Sequence, residues 1–172
     1  MSYQSQEFES KTFKNIDFTN QSFENSTFID CTFEDCNLPN VNFKDTRIQN
    51  VFFKDCKLLG LNFLDCSHFI ISFNFKNCLI SLCTFSNLKL KNTNFGDCQI
   101  FECDFVETDL TKANFENSEF KKTRFQNANL SFTSFKNAKN YDINPNNNIL
   151  KKTKFSFPEV IKLLNVFDIE LE

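Results

Sequence analysis

The sequence predicts an all-β solenoid, in which the chain turns a corner once every five residues. A large apolar residue, most often Phe, recurs at every fifth position from Phe8 to Phe63 and again from Ile80 to Phe135. A period of five fits neither an α-helix, with about 3.6 residues per turn, nor a strand, with a period of about 2. Such a pattern indicates stacked repeats that each send one side chain into a shared core.

The composition also indicates an aromatic core. The chain has 172 residues, of which 25 are Phe, and 18 of these Phe lie on the five-residue pattern. Burying each ring contributes about 1.5–3 kcal/mol. No apolar run approaches the ~20 residues needed to span a bilayer, and the first residues lack the basic and apolar regions of a signal peptide. We therefore expect a cytoplasmic protein whose residues 1–7 are frayed.

All eight cysteines occupy the same position of the repeat, two residues before an expected centre. Other repeats place Val, Leu, Thr or Ala there, so the position favours a small, mostly apolar side chain. Zinc sites need close Cys pairs, and no two Cys are separated by only two residues. We interpret these residues as packing thiols in a reducing compartment. Two thiols that are twenty residues apart would stack on adjacent coils, and adventitious oxidation of such a pair stays an alternative. They are Cys31, Cys36, Cys56, Cys66, Cys78, Cys83, Cys98 and Cys103.

Asn and Asp dominate the last position of each repeat, which predicts a corner there because both tolerate turn dihedrals. The pattern slips once. The first register predicts centres at His68 and Phe73, and the second register predicts a centre at Phe75. We expect a bulge at a corner to absorb the two extra residues. His68 has no carboxylate or nucleophile at a usable spacing, so we expect it to pack in or beside the distorted coil.

The regular pattern ends after Ala138, and residues 140–148 predict an irregular connector. Ser156 and Glu159 have the spacing of a capping box, which predicts a helix from about 157 to 166.

Apolar and acidic residues alternate from 167 to 172, which predicts a short strand. Phe155 is expected to pack against Val160 at the start of the helix. The apolar faces of the helix and the strand must cover the last coil, form a dimer, or do both, because an open coil exposes its core and strand edges.

The repeat resembles the pentapeptide-repeat family over roughly 130 residues. The period, the central aromatic residue or Leu, and the small residue two positions earlier all agree with that family. The resemblance implies a right-handed quadrilateral β-helix with four repeats per coil. Residues 1–140 would form a β-helical rod roughly 30 Å long, and residues 141–172 a C-terminal segment for capping and dimerisation.

The tail resembles the ending of the albicidin-resistance pentapeptide proteins and, more loosely, the quinolone-resistance group. In those relatives a C-terminal helix and strand form a two-fold dimer, and the rod binds type II topoisomerase, DNA gyrase above all, as a mimic of duplex DNA and protects it from inhibitors. The resemblance runs through Tyr141-Asp142-Ile143, Lys151-Lys152, Lys154-Phe155-Ser156-Phe157-Pro158-Glu159, Leu163-Leu164-Asn165 and Asp168-Ile169-Glu170-Leu171.

Carried over to this chain, the resemblance implies two surfaces. The dimer interface would consist of Val160, Leu163, Leu164, Phe167, Ile169 and Leu171. The acidic face toward the partner would consist of Asp35, Asp45, Asp55, Asp65, Asp97 and Glu107.

Two features differ from these relatives: the chain lacks projecting loops, and its net charge is only −3. Turn geometry alone also accounts for Asn and Asp at corners. A dimeric scaffold that binds another protein partner is therefore the competing hypothesis. The chain has no constellation of catalytic residues, so we expect no enzymatic activity, cofactor, metal, small-molecule substrate or membrane association.

Basic residues concentrate near the C-terminal end. We expect no direct binding of nucleic acid through them, because no aromatic or base-reading motif accompanies them in the sequence. They are Lys121, Lys122, Arg124, Lys136, Lys139, Lys151, Lys152 and Lys154.

Overall fold

The computed structural model, which describes residues 3–67 and 71–170, is a solenoid of stacked four-sided coils. Neighbouring coils pair in parallel at an offset of 20 residues, as in Phe13↔Phe33 and Ile80↔Ile100. The described strands are mostly short, because the chain turns after each side of a coil. They are Glu7–Glu9, Thr12–Lys14, Thr27–Ile29, Thr32–Glu34, Asn37–Pro39, Arg47–Lys54, Lys57–Leu59, Ile71–Lys76, Leu79–Ser81, Phe95–Gly96, Gln99–Phe101, Asp104–Val106, Glu119–Lys121, Arg124–Gln126, Ser134–Phe135 and Lys154–Phe155.

We number the four sides by their central, inward-facing residues. Side 1 has the centres Phe8, Phe28, Ile48, Leu90, Leu110, Leu130 and Leu150. Side 2 has Phe13, Phe33, Phe53, Phe75, Phe95, Phe115, Phe135 and Phe155. Side 3 has Phe18, Leu38, Leu58, Ile80, Ile100 and Phe120. Side 4 has Phe23, Phe43, Phe63, Phe85, Phe105 and Phe125.

The corners between sides use the left-handed region of the backbone, as the Asn and Asp pattern predicted. Of the 27 described non-glycine residues with positive φ, 18 are Asn or Asp, the residues that adopt this conformation at least cost. Asp65 is an exception. It lies in a 3-10 turn, Phe63–Asp65, where the side chain of Asn62 accepts a hydrogen bond from the amide of Leu64 at 3.2 Å.

The core is built from columns of stacked rings, as the five-residue period predicted. On side 2, eight Phe rings follow one another with centroids 4.8–5.4 Å apart and planes within 11–21° of parallel. At ~4.8 Å per coil, these seven steps span roughly 34 Å. On side 4, Phe43 and Phe63 lie one above the other at 5.5 Å and 24°. The ring stack of side 2 ends at Phe155, which the sequence placed outside the repeats.

The position two residues before each centre faces inward, and all eight cysteines there are buried and free. This confirms the prediction of packing thiols. The structure adds a hydrogen bond, because a thiol or hydroxyl at this position donates to a backbone carbonyl of the preceding coil. Cys56 Sγ lies 3.3 Å from the carbonyl oxygen of Phe33, and Thr46 Oγ1 lies 2.8 Å from that of Phe23. Small polar side chains are therefore accommodated without loss of a hydrogen bond.

The ladder keeps its normal register up to Ser67 and is shifted from Ile71 onward, so the two extra residues enter outside the described residues and the predicted bulge at a corner stays a prediction. The pairing changes from Ile48↔Ile71 to Val51↔Phe73, with the register shift between Ile48 and Val51. The expected centre at Phe75 is confirmed, because Phe75 pairs with the side 2 centre Phe53. The expected centre at Phe73 is wrong: its partner Val51 shows that Phe73 fills the small-residue position. His68 lies outside the described residues.

The N-terminal end is closed by Tyr3, so the expectation of frayed residues is wrong for residues 3–7. The Tyr3 ring lies 5.0 Å from that of Phe18 and 5.7 Å from that of Phe23. Its carbonyl accepts a hydrogen bond from Ser26 Oγ at 2.5 Å. An aromatic side chain thus covers the first coil of the core.

Parallel pairing continues past residue 140. The predicted connector contains turns, but Ile143 pairs with Phe125 and Ile149 with Asn129, and Tyr141 is buried.

The C-terminal segment then differs from the prediction. The helix is a 3-10 helix, Glu159–Phe167, preceded by a cis Phe157-Pro158 bond, and no side chain caps its start. The expected capping box is therefore wrong. Phe155 stacks on Phe135 rather than packing against the helix start. Residues 168–170 do not form the predicted strand, and residues 171–172 lie outside the described part of the chain.

Candidate interaction surfaces

The six acidic residues predicted to face a partner lie on two different corners. Three of them follow side 2 and three follow side 4. Because a coil has four sides and twenty residues, residues ten apart in sequence lie at diagonally opposite corners, so the structure does not bring all six onto one face. The side 2 corner holds Asp35, Asp55 and Asp97, and the side 4 corner holds Asp45, Asp65 and Glu107.

At the side 2 corner, lysines compensate Asp55 and Asp97, whereas Asp35 makes no ion pair with a described residue. Lys76 forms an ion pair with Asp97, and Lys54 Nζ lies 3.7 Å from Asp55 Oδ2. Asn77 Nδ2 also donates to Asp55 Oδ1 at 2.6 Å. The hydrogen bond from Lys76 lowers the pKa of Asp97 below its usual value. This corner therefore offers little unpaired negative charge to a basic partner protein.

The side 4 corner retains its charge. Within the described residues, Asp45, Asp65 and Glu107 make no ion pair. Asp45 and Asp65 stack directly, since the amide of Asp45 donates to the carbonyl of Asp65 at 2.8 Å. Acidic residues elsewhere on side 4 are paired, such as Asp104 with Arg124 at 2.9 Å. The uncompensated carboxylates of this side therefore concentrate at its corner, and we call these three residues the acidic corner.

The C-terminal segment exposes three of the five described apolar residues that were predicted to form a dimer interface. The described members of the predicted dimer interface divide into two groups. Val160 and Leu163 are half-buried, and Leu163 packs against the protein's own core. Leu164, Phe167 and Ile169 are 38%, 52% and 53% exposed. The sequence analysis missed Phe157, which is 81% exposed.

Ser156 and Glu159 serve the solenoid instead of the helix. The amide of Asn137 donates to Ser156 Oγ at 3.0 Å, and the amide of Asn140 donates to Glu159 Oε2 at 3.1 Å. A hydrogen bond from Lys162 holds the pKa of Glu159 below its usual value. Amides at the open end of a ladder need acceptors, so the two residues cap the last coil.

An apolar groove on side 3 was missed in the sequence analysis. It has a volume of about 410 Å³ and lies between successive strands. The corner residue Leu82, 55% exposed, is on the same side. The signal was present, because the position after the centre is apolar on three coils of side 3. Its apolar wall residues include Pro39, Leu59, Leu79 and Phe101.

The buried thiol of Cys66 is unsuited to nucleophilic chemistry. Burial raises the pKa of Cys66, and the neighbouring charge of Asp65 raises it further. A thiol with a raised pKa is a weak nucleophile. In the described part of the chain, no cluster of His, Cys, Asp or Glu is arranged to hold a metal ion, and no helix has the length and apolarity to cross a membrane.

The structure is similar to solved structures of QnrB1, a plasmid-mediated fluoroquinolone resistance protein. The full-length form has a TM-score of 0.59 and 16% identity, covering 96% of this chain and 91% of that chain. A trypsin-treated form has a TM-score of 0.60 and 18% identity, covering 99% and 92%. At such identities the likeness concerns the fold.

No curated protein matches the chain in sequence. Two family models do: one for a pentapeptide repeat region matches residues 6–82, and one for pentapeptide repeats matches residues 103–139. Together they cover more than half of the chain, on the same repeats that form the stacked coils. The chain belongs to the pentapeptide-repeat family.

Proposed function

We propose that the chain is a dimeric interaction protein that binds a type II topoisomerase, DNA gyrase above all, as a mimic of duplex DNA. The observation that carries this proposal is the acidic corner, a column of uncompensated carboxylates along a rod. Similarity of the fold to a fluoroquinolone resistance protein also supports this proposal. Because the net charge is only −3, attraction depends on this local column rather than on the field of the whole protein.

The dimensions fit the proposal. Asp45 and Asp65 lie one coil apart, and Glu107 lies two coils further, so the carboxylates are spaced by about 5–10 Å. Phosphates along one DNA strand recur with a rise of about 3.4 Å, so neighbouring carboxylates are separated by the rise of about 1.5 to 3 phosphates. Two rods of roughly 34 Å joined end to end would approach the length of ~20 base pairs.

The proposed dimer uses the exposed apolar residues of the C-terminal segment. Leu164, Phe167 and Ile169 would be buried against a second copy, whereas Leu163 already packs on its own core. A test replaces Phe167 with Asp, which places a charge in the interface. The expected result by size-exclusion chromatography with light scattering is a monomer, while the control Leu82→Asp, at another exposed apolar site, stays dimeric. A native chain that is monomeric at all concentrations would contradict the proposed interface.

The topoisomerase proposal is tested in a gyrase supercoiling assay with and without a fluoroquinolone. The acidic-corner variant Asp45→Asn/Asp65→Asn/Glu107→Gln is compared with a matched variant of the side 2 corner, Asp35→Asn/Asp55→Asn/Asp97→Asn. Both variants remove three carboxylates, but we expect only the first to lose inhibition or protection by tenfold or more, as loss of charge steering allows. No effect of the native protein at micromolar concentration would refute the proposal.

The competing function is a scaffold for a different protein partner, which the apolar groove on side 3 favours. Exposed apolar groups mark many protein-binding surfaces. This function predicts that the native protein and both acidic variants leave gyrase supercoiling unchanged, and that Leu59→Asp abolishes partner binding.

A further inference from the structure

The edge between sides 1 and 2 places an exposed aromatic ring between lysines on the last three coils. Lys112, Phe132 and Lys152 follow one another at twenty-residue steps, and backbone hydrogen bonds join their coils. Lys152 Nζ lies 5.8 Å from the centre of the Phe132 ring, a cation–π distance. The sequence analysis missed this cluster because its members are twenty residues apart in sequence and become neighbours only when the coils stack.

The Phe132 position is costly for the fold. Phe132 has φ +62° at a corner where Asn and Asp predominate, and a bulky side chain adopts this conformation rarely. Its ring is nevertheless 40% exposed. Backbone strain together with an exposed ring indicates a residue used for binding, since Asn would satisfy the corner better.

The lysines around this ring are free to bind an anion. Five exposed lysines lie on sides 1 and 2 of the coil of Phe132 and of the two coils adjacent to it, and none of them makes an ion pair with any described residue. The nearby carboxylate of Glu116 accepts a hydrogen bond from Ser134 Oγ at 2.8 Å. By contrast, five lysines of the earlier coils are paired with carboxylates. The five free lysines are Lys112, Lys136, Lys151, Lys152 and Lys154; the paired ones include Lys14, Lys44, Lys54, Lys76 and Lys91.

We propose that Phe132 and the five lysines around it form a binding site for single-stranded nucleic acid, which we call the basic edge. The lysines would bind the phosphates, and the ring would stack on one base. Surfaces that bind single strands combine these two elements, a positively charged track and an aromatic platform. The exposed ring favours a single strand over a duplex, whose bases are already stacked. This proposal is independent of topoisomerase binding.

The test measures fluorescence anisotropy of a labelled oligothymidylate of about 12 nucleotides, using the full chain without any other protein. Phe132→Asn removes the ring and introduces a residue suited to positive φ, so the fold is retained. Leu82→Asn is the matched control, because Leu82 is an exposed apolar corner residue with φ +54° outside the basic edge. Lys112→Asn/Lys152→Asn tests the charges, with Lys122→Asn as a corner control at φ +51°.

We expect micromolar binding at low salt, and weakening by about tenfold in Phe132→Asn because one base no longer stacks on the ring. The double lysine variant should make the slope of log K against log salt less steep by about 1.4, since each phosphate that a lysine neutralises on a single strand contributes about 0.7. Both control variants should bind within about twofold of the native protein. The proposal would be overturned if the native protein did not bind the oligonucleotide, or if the control variants weakened binding as much as Phe132→Asn does. It would also be overturned if a DNA duplex bound as tightly as the single strand and Phe132→Asn did not weaken duplex binding.

Discussion

Replacing Phe95 with Leu tests whether ring stacking, rather than apolar burial alone, stabilises the rod. Phe95 lies in the middle of the side 2 column, with stacked neighbours Phe75 at 5.1 Å and Phe115 at 4.8 Å. Edge contacts reach Phe85 and Phe105, each at 5.6 Å. Each aromatic pair contributes about 0.5–1.5 kcal/mol beyond its buried area. Because Leu keeps part of the packing, we expect removal of the four ring pairs to lower the free energy of unfolding by about 2–4 kcal/mol.

The matched control is Ile100→Leu, in the same coil on side 3. Ile100 is fully buried, and on its own ladder it has Ile80 on one face and Phe120 on the other, so it takes part in no ring pair. A swap of this kind conserves volume and costs less than about 1.5 kcal/mol. Urea unfolding followed by far-UV circular dichroism measures both values, and equal m-values show that the denatured states match. Equal decreases of stability in the two variants would refute the role assigned to stacking.

Three further predictions concern the capped end and the buried thiols. Ser156→Ala leaves the amide of Asn137 without its acceptor and should lower the free energy of unfolding by about 1 kcal/mol, measured by thermal unfolding. Because the Lys162 hydrogen bond lowers the folded pKa of Glu159, this carboxylate stabilises the fold above its unfolded pKa, and the contribution is lost as pH falls through the folded pKa. Glu159→Gln should therefore flatten the acid side of the stability profile, measured by urea unfolding between about pH 6 and pH 3. Burial raises the pKa of Cys66, so a thiol reagent at about pH 8 should modify it only after denaturation.

Each of these expectations has a contrary result. Unchanged stability in Ser156→Ala would show that water replaces the hydroxyl at the Asn137 amide. A Glu159→Gln variant with the same acid profile as the native protein would assign the loss of stability to other carboxylates. Rapid modification of the native protein would show that the coil around Cys66 opens readily.

The repeating part of the molecule was predictable, because one physical rule governs each position of the repeat. A large side chain every fifth residue meets its equivalent one coil later, as Phe43 meets Phe63. Asn and Asp mark corners because few other residues accept positive φ. The same rule failed at Phe73, since two extra residues change which position faces the centre.

The tail and the surfaces were less predictable, because their contacts join residues far apart in sequence. Ser156 and Glu159 fit a capping box in sequence, but the amides of Asn137 and Asn140 compete for the same oxygens. The free amides at a helix start can instead bond to water. The distribution of the six acidic residues over two opposite corners likewise becomes evident only when their positions are counted around a coil of twenty residues.

The offset of twenty residues between paired positions gives this protein an unusual freedom to change length. Joining Thr93 directly to Asn114 would excise Asn94 to Ala113, one complete circuit, and leave Asn followed by Phe at the junction as before. The shortened chain should keep every remaining ladder and lose only about 4.8 Å of height. Duplication of the same segment would add one coil. Deletion or duplication of twenty codons can therefore change the length of the solenoid in fixed increments while the core packing stays the same.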